Sequence, residues 1–130
     1  QAVNIIKKTP IIGVGVGEYI PTLRETSALV SLKDPWKAQP PHNIFLFVWA
    51  ELGILGLGMF ILLILSAFRL KCGKPLNQIA FNLVIIFSAF LIIGFFDHYL
   101  VTIQQGRLIF SVILGLAIAG NNLQTENHDD

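Results

Sequence analysis

The apolar stretch at residues 44–68 constrains the fold more than any other feature, because it contains a single charged residue, Glu51. A transmembrane helix needs about 20 predominantly apolar residues at a rise of about 1.5 Å each, so this stretch is long enough to cross a bilayer. Charged residues make up only 13% of the 130 residues, against roughly 25% in an average soluble protein. That is too few charges to cover a water-facing surface, and the composition argues against a soluble globular domain.

Two further apolar stretches follow. Residues 79–96 carry no charge, and the apolar residues 108–119 reach the length of a span if the helix extends back to residue 99. We therefore predict an all-α fold with polytopic transmembrane helices at 44–68, 79–96 and 99–119 within residues 44–120. Residues 1–43 are predicted to be an extracytoplasmic loop segment with a glycine-rich turn, and residues 121–130 a polar C-terminal tail. We interpret the chain as a fragment of a larger multi-span membrane protein.

The basic residues predict the orientation of these helices. Arg69, Lys71 and Lys74 lie in the short loop at 69–78, and short loops rich in lysine and arginine remain in the cytoplasm. The loop that ends at His42 and the segment at 97–107 are then extracytoplasmic. The net charge of +1 gives no electrostatic basis for binding nucleic acid.

His42 is the first candidate for chemistry, because it follows two prolines at the outer end of the first predicted span. Histidine titrates near neutral pH and serves as a general acid or base. The alternative is a histidine that lies at the interface and has no catalytic role. Asn43, the next residue, is a plausible N-cap for the helix.

Glu51 is the second candidate, because a carboxylate within a membrane is costly and marks a functional or structural contact. Small residues beside it at Ala50, Gly53 and Gly56 permit close approach of another helix. We expect a structural polar contact with a partner helix, and a proton relay is the alternative.

Asp97 and His98 form a third group, which the predicted topology places on the same side as His42. The three side chains would bind a metal only if separate segments converge, and nothing in their spacing enforces convergence, so we expect no metal. A polar lining for an anionic or sugar-bearing substrate fits better, with Arg24 and Arg107 as phosphate contacts. Both arginines are also explained by snorkelling at the interface.

The glycines at positions 13, 15 and 17 follow Pro10, which is expected to end a short amphipathic helix. They lack the Gly-Lys-Ser/Thr ending of a phosphate-binding loop. We predict a turn that positions the loop against the membrane.

Three motifs together resemble the C-terminal half of the bacterial O-antigen ligase and O-antigen polymerase superfamily, in its ligase-like branch. They are KTPIIGVGVGEY at residues 8–19, PHNIFL at 41–46 and AELGILG at 50–56. FDHY at 96–99 and QQG at 104–106 are similar but less specific.

The resemblance implies a multi-pass glycosyltransferase of the bacterial inner membrane, with its active site on the extracytoplasmic side. The donor would be a glycan on polyprenyl diphosphate, and the acceptor lipid A–core, another glycan or a protein. Catalysis would need no metal or other cofactor. His42 is the implied catalytic residue, and Asn43, Arg24 and Arg107 are carried as substrate-binding candidates, although the family's diphosphate-binding arginines lie mainly upstream of Gln1. Asp97 and His98 are secondary candidates.

Two alternatives remain open, and the fragment alone is expected to be inactive. One is a polymerase of the same superfamily that joins repeat units. The other is a transporter or structural membrane subunit without enzymatic activity, in which Glu51 and Asp97 would be ion-pathway residues.

Overall fold

The computed structural model describes residues 1–26, 38–68 and 78–123, and all regular structure within these ranges is helical. The basic loop residues Arg69, Lys71 and Lys74, together with Cys72 and most of the predicted C-terminal tail, lie outside the described residues. The predicted all-α class is confirmed for the described part of the chain. Its helices are α1 (Ala2–Lys8), α2 (Tyr19–Thr26), α3 (Ile44–Ala67), α4 (Gln78–Phe96), α5 (Tyr99–Thr102) and α6 (Gln104–Leu123).

The helix α3 has the length and composition of a membrane span. It is 24 residues long, and only 22% of its most apolar 18-residue window is buried. The central helix of a soluble protein would be mostly buried, whereas α3 exposes large apolar side chains such as Leu55, Met59 and Leu62. Among the described residues α3 alone reaches this length, and the apolar parts of α4 and α6 are shorter, at Phe81–Phe96 and Gln104–Ala119. The three-span arrangement therefore stays a prediction.

An interruption at Gly53 divides α3, where the hydropathy of residues 44–68 had predicted one continuous helix. Gly53 has φ 69° and ψ −173°, a region essentially restricted to glycine. In a continuous helix the Ile54 N–H donates to the carbonyl of Ala50. Here the Ile54 N–H donates to the Pro10 carbonyl at 2.9 Å, and the Ala50 carbonyl accepts from the Val14 N–H at 3.0 Å. An upstream segment thus satisfies the backbone groups that the interruption exposes.

The chain divides into two compact units, and the first comprises Gln1–Phe60 and Phe95–His98. Its small core is built where α1, α2 and the start of α3 meet. Tyr19 and Leu23 of α2 are almost fully buried there, and the Tyr19 ring meets Phe47 edge-on with the ring centroids 5.8 Å apart. The helix α1 ends at Lys8, before Pro10, as predicted. This core fixes α2 against the beginning of α3.

The second unit comprises Ile61–Gly94 and Tyr99–Asp130. Within it the ring of Phe87 lies between those of Phe68 and Phe110, at centroid distances of 5.6 and 5.7 Å. Residues 99–119, which the sequence predicts as one helix, are two helices that meet at residue 103. A side chain at Gly106 would collide with the Tyr99 carbonyl, so glycine permits the close packing of α5 against α6.

Candidate functional site

The segment from Pro10 to Gly17, which we call the glycine turn, docks onto α3 at its interruption. Gly13, Gly15 and Gly17 all have positive φ, at 68°, 109° and 80°, a region that L side chains rarely adopt. A Cβ atom at Gly13 would also collide with the Glu51 carbonyl. Glycine is therefore required at this position for both its backbone conformation and its close approach to α3. The predicted turn is present, and its partner is a helix of the same chain.

Hydrogen bonds link the glycine turn to both sides of the interruption. The Gly15 N–H donates to the Glu51 carbonyl at 2.9 Å, next to the bond from Val14 to Ala50. The Trp49 indole N–H donates to the Pro10 carbonyl at 3.1 Å, which also accepts from Ile54. The turn and the first half of α3 thus form one hydrogen-bonded structure.

The side chain of Glu51 is part of this structure. The residue is only 8% exposed, and a carboxylate oxygen accepts the Gly17 backbone N–H at 3.0 Å. The backbone of Tyr19 is a further hydrogen-bond partner, so the carboxylate lies at the start of α2. The sequence predicts a polar contact of Glu51 with a partner helix, and the structure shows hydrogen bonds to the backbone of the glycine turn and of Tyr19 in α2.

Asn43 begins α3 and also bonds to the end of α4. Its side-chain oxygen accepts the Leu46 N–H at 3.0 Å, the geometry of an N-cap, as the sequence predicts. Its side-chain N–H donates to the Phe95 carbonyl at 3.0 Å. The second bond brings residues 95–98 to the beginning of α3, although they are more than 50 positions away in the sequence.

The bonds of Asn43 therefore explain why three side chains lie close together although their spacing in the sequence does not predict it. The His42 Nδ1 and an Asp97 carboxylate oxygen are 3.8 Å apart, and the centroids of the His42 and His98 rings are 5.3 Å apart. The same Asp97 oxygen accepts the His98 backbone N–H at 2.7 Å. We call His42, Asp97 and His98 the histidine–aspartate cluster.

The two histidines of the cluster differ in environment. The His42 side chain is 63% exposed, and His98 is only 6% exposed. Burial lowers the pKa of His98, and the nearby His42 lowers it further, while the charge of Asp97 opposes both effects. His98 is thus held toward its neutral form, whereas His42 is accessible to a substrate.

A cavity of about 430 Å³ lies beside His42. The residues that line it include Gln1 and Gln39, the two prolines before His42, and Leu46. Amide groups offer both donors and acceptors, and such a wall is compatible with a hydroxyl-rich ligand. The cavity brings solvent and solutes to His42.

The structure places the two arginine candidates in different units. Arg24 is exposed in the last turn of α2, and Arg107 lies in the first turn of α6, in the second unit. Their role as phosphate contacts stays a prediction.

The interruption at Gly53 is the feature of the site that the sequence does not predict. Glycines are frequent in membrane helices, so Gly53 alone does not predict an interruption of the helix. The pairing of Gly53 with the alternating glycines upstream is the signal that indicates a docked turn.

Comparison with known proteins bears on the first half of the chain. Residues 1–61 match the family model described as O-antigen ligase. The matched residues include the glycine turn, His42 and the interruption of α3, while Asp97 and His98 lie beyond them. No curated protein and no solved structure gives a match.

Proposed function

Because residues 1–61 match the family model described as O-antigen ligase, we propose that this chain is part of a multi-pass glycosyltransferase of the bacterial inner membrane. It moves a glycan from a polyprenyl diphosphate carrier to an acceptor at the extracytoplasmic face. The observation that carries the proposal is an exposed His42 at the start of an apolar helix, with the carboxylate of Asp97 on its Nδ1 side.

The proposed reaction breaks the bond between the anomeric carbon of the glycan and a phosphate oxygen. A new bond forms between that carbon and an acceptor hydroxyl oxygen, and the diphosphate leaves with the bonding electrons. The hydroxyl proton moves to His42, which acts as general base. Proton removal in the transition state makes the hydroxyl oxygen a stronger nucleophile.

Asp97 is proposed to orient His42 for this step. A carboxylate facing Nδ1 favours the tautomer that carries its proton there, which leaves Nε2 to accept the proton of the acceptor. The separation of 3.8 Å exceeds hydrogen-bond length. Catalytic hydrogen bonds are often long without substrate and shorten when it binds.

Arg24 and Arg107 are proposed to balance the charge of the leaving diphosphate.

In the proposed topology, His42 lies at the same depth in the bilayer as the head group of the lipid-linked donor. Three membrane helices at 44–68, 79–96 and 99–119, with the loop at 69–78 in the cytoplasm, place His42 at the outer surface of the bilayer. A polyprenyl carrier anchors its diphosphate at that surface, where the bilayer meets water.

A polymerase of the same superfamily is the second candidate, because it uses the same bond changes with a growing glycan as one partner. The two functions differ only in the acceptor. Full-length protein supplied with the lipid-linked glycan and either lipid A–core, a second glycan unit or an acceptor protein separates them by the product formed.

The test of the proposal is transfer by the His42→Ala variant of the full-length protein. Loss of a general base lowers the rate by about 10²–10⁴-fold, and membrane insertion should be unchanged because His42 is exposed. His128→Ala, which removes a histidine of the polar C-terminal segment, is the matched control and should retain full transfer. Near-normal transfer by His42→Ala would overturn the assignment of the general base.

A further inference from the structure

The histidine–aspartate cluster has the composition of a transition-metal site. His42, Asp97 and His98 each offer one ligand atom, and these atoms all lie within 4.8 Å of one another. Two imidazole nitrogens and one carboxylate oxygen are a typical ligand set for Zn²⁺, with a fourth position left for water or another ligand. We propose that the cluster binds a zinc-like divalent cation, and that the bound cation inhibits glycan transfer.

The cluster needs only a small contraction to reach coordination geometry. Ligand atoms at about 2.0–2.1 Å from a tetrahedral zinc are roughly 3.3 Å from one another, and the His42 Nδ1 and the Asp97 oxygen are already 3.8 Å apart. The exposed His42 side chain has room to rotate toward the other two. The buried His98 provides the fixed part of the site.

Asp97 can bind the metal and accept the hydrogen bond from His98 at the same time. One of its oxygens accepts the His98 backbone N–H at 2.7 Å, which holds the carboxylate in place. Ionised carboxylates have two oxygens and about four lone-pair positions, so coordination of a metal is compatible with that bond. Its negative charge also offsets part of the charge of the cation.

Inhibition follows from the chemistry of His42 and rests on the proposed function. A neutral imidazole carries its proton on one nitrogen and has a free lone pair on the other. A metal bound to His42 takes that lone pair, so the residue no longer accepts the proton of an acceptor hydroxyl. Binding of the metal itself does not depend on the proposed function.

The first experiment measures binding of Zn²⁺ to purified full-length protein, carrying a tag without histidines, by titration calorimetry. We expect one equivalent to bind. His42→Gln and His98→Gln should each weaken that binding by about 100-fold or more, since loss of a group that merely supports a ligand already costs 10–100-fold. His128→Gln is the matched control and should bind as the parent protein does. Absence of binding, or full binding by both cluster variants, would overturn the site.

A second measurement needs no variant and therefore does not depend on the folding of one. Diethyl pyrocarbonate modifies accessible histidines, and mass spectrometry locates the modified residue. Zn²⁺ should protect His42 in the parent protein and leave the modification of His128 unchanged. Equal modification of His42 with and without Zn²⁺ would contradict the proposal.

The transfer assay separates this proposal from the proposed function. Zn²⁺ should suppress transfer, and a chelator should restore it. Binding at the cluster with unaltered transfer would refute inhibition and also the role of His42 as base. Loss of transfer in His42→Ala with no Zn²⁺ bound to the parent protein would instead refute the metal site and leave the proposed function in place.

Discussion

Replacement of Gly53 by alanine should release the glycine turn from α3. The backbone at this position, φ 69° and ψ −173°, costs a residue with a side chain about 1–3 kcal/mol. The new Cβ would also collide with the Ile11 carbonyl. If the turn moves away, the bonds from Ile54 to Pro10 and from Val14 to Ala50 are lost, and the Ile54 N–H can then donate to the Ala50 carbonyl as in a continuous helix. The strain alone therefore weakens docking of the turn by about 1–3 kcal/mol.

Hydrogen exchange of the full-length protein measures this effect directly. The N–H groups of Val14, Gly15 and Gly17 lie on one short peptide, and all three donate to α3. At about 1.4 kcal/mol for each factor of ten, the lower bound corresponds to exchange about 5-fold faster in Gly53→Ala. Gly58→Ala is the matched control, because a Cβ at Gly58 meets nothing within 4 Å. Equal exchange in the two variants would refute the idea that docking depends on Gly53.

Three further predictions test neighbouring contacts and the topology. Asn43→Ala should destabilise the protein by about 0.5–2 kcal/mol through loss of the N-cap, and Asn43→Asp by less, because it retains the accepting oxygen; equal thermal stability of both would contradict the cap. Glu51→Gln retains an acceptor for the Gly17 N–H, so it should express and transfer better than Glu51→Leu, which leaves that group unpaired at about 1–3 kcal/mol; identical behaviour would remove any polar role of Glu51. Cys72 should resist a membrane-impermeant thiol reagent in cells with an intact inner membrane, and labelling there would show that the predicted topology is inverted.

The sequence predicted the local elements of the fold well. The apolar residues that begin at Ile44 form α3, and the polar side chain before them is its cap. Residues 79–96 lie within the observed α4. These features depend on hydropathy and on contacts within a few residues, both of which are read from a single segment.

The interruption at Gly53 was missed because its cause is distant in the sequence. A hydropathy pattern shows that residues 44–68 are apolar, but it does not show that residues 10–17 supply the hydrogen bonds of an interrupted helix. The sequence did not predict that His42 lies near Asp97 and His98, for the same reason. It depends on the bond from Asn43 to Phe95, a long-range contact that spacing does not encode.

The glycine turn has a consequence for how the beginning of α3 is positioned. The segment between the turn and His42 is held at one end by Glu51 and Gly17 and at the other by the start of α3. Both anchors belong to the first half of the same helix, so the glycine turn and the residue after His42 are fixed to one element. The hydrogen bonds that fix the turn and cap the helix therefore all lie within residues 10–17 and 43–54, so this part of the chain is positioned by contacts within itself.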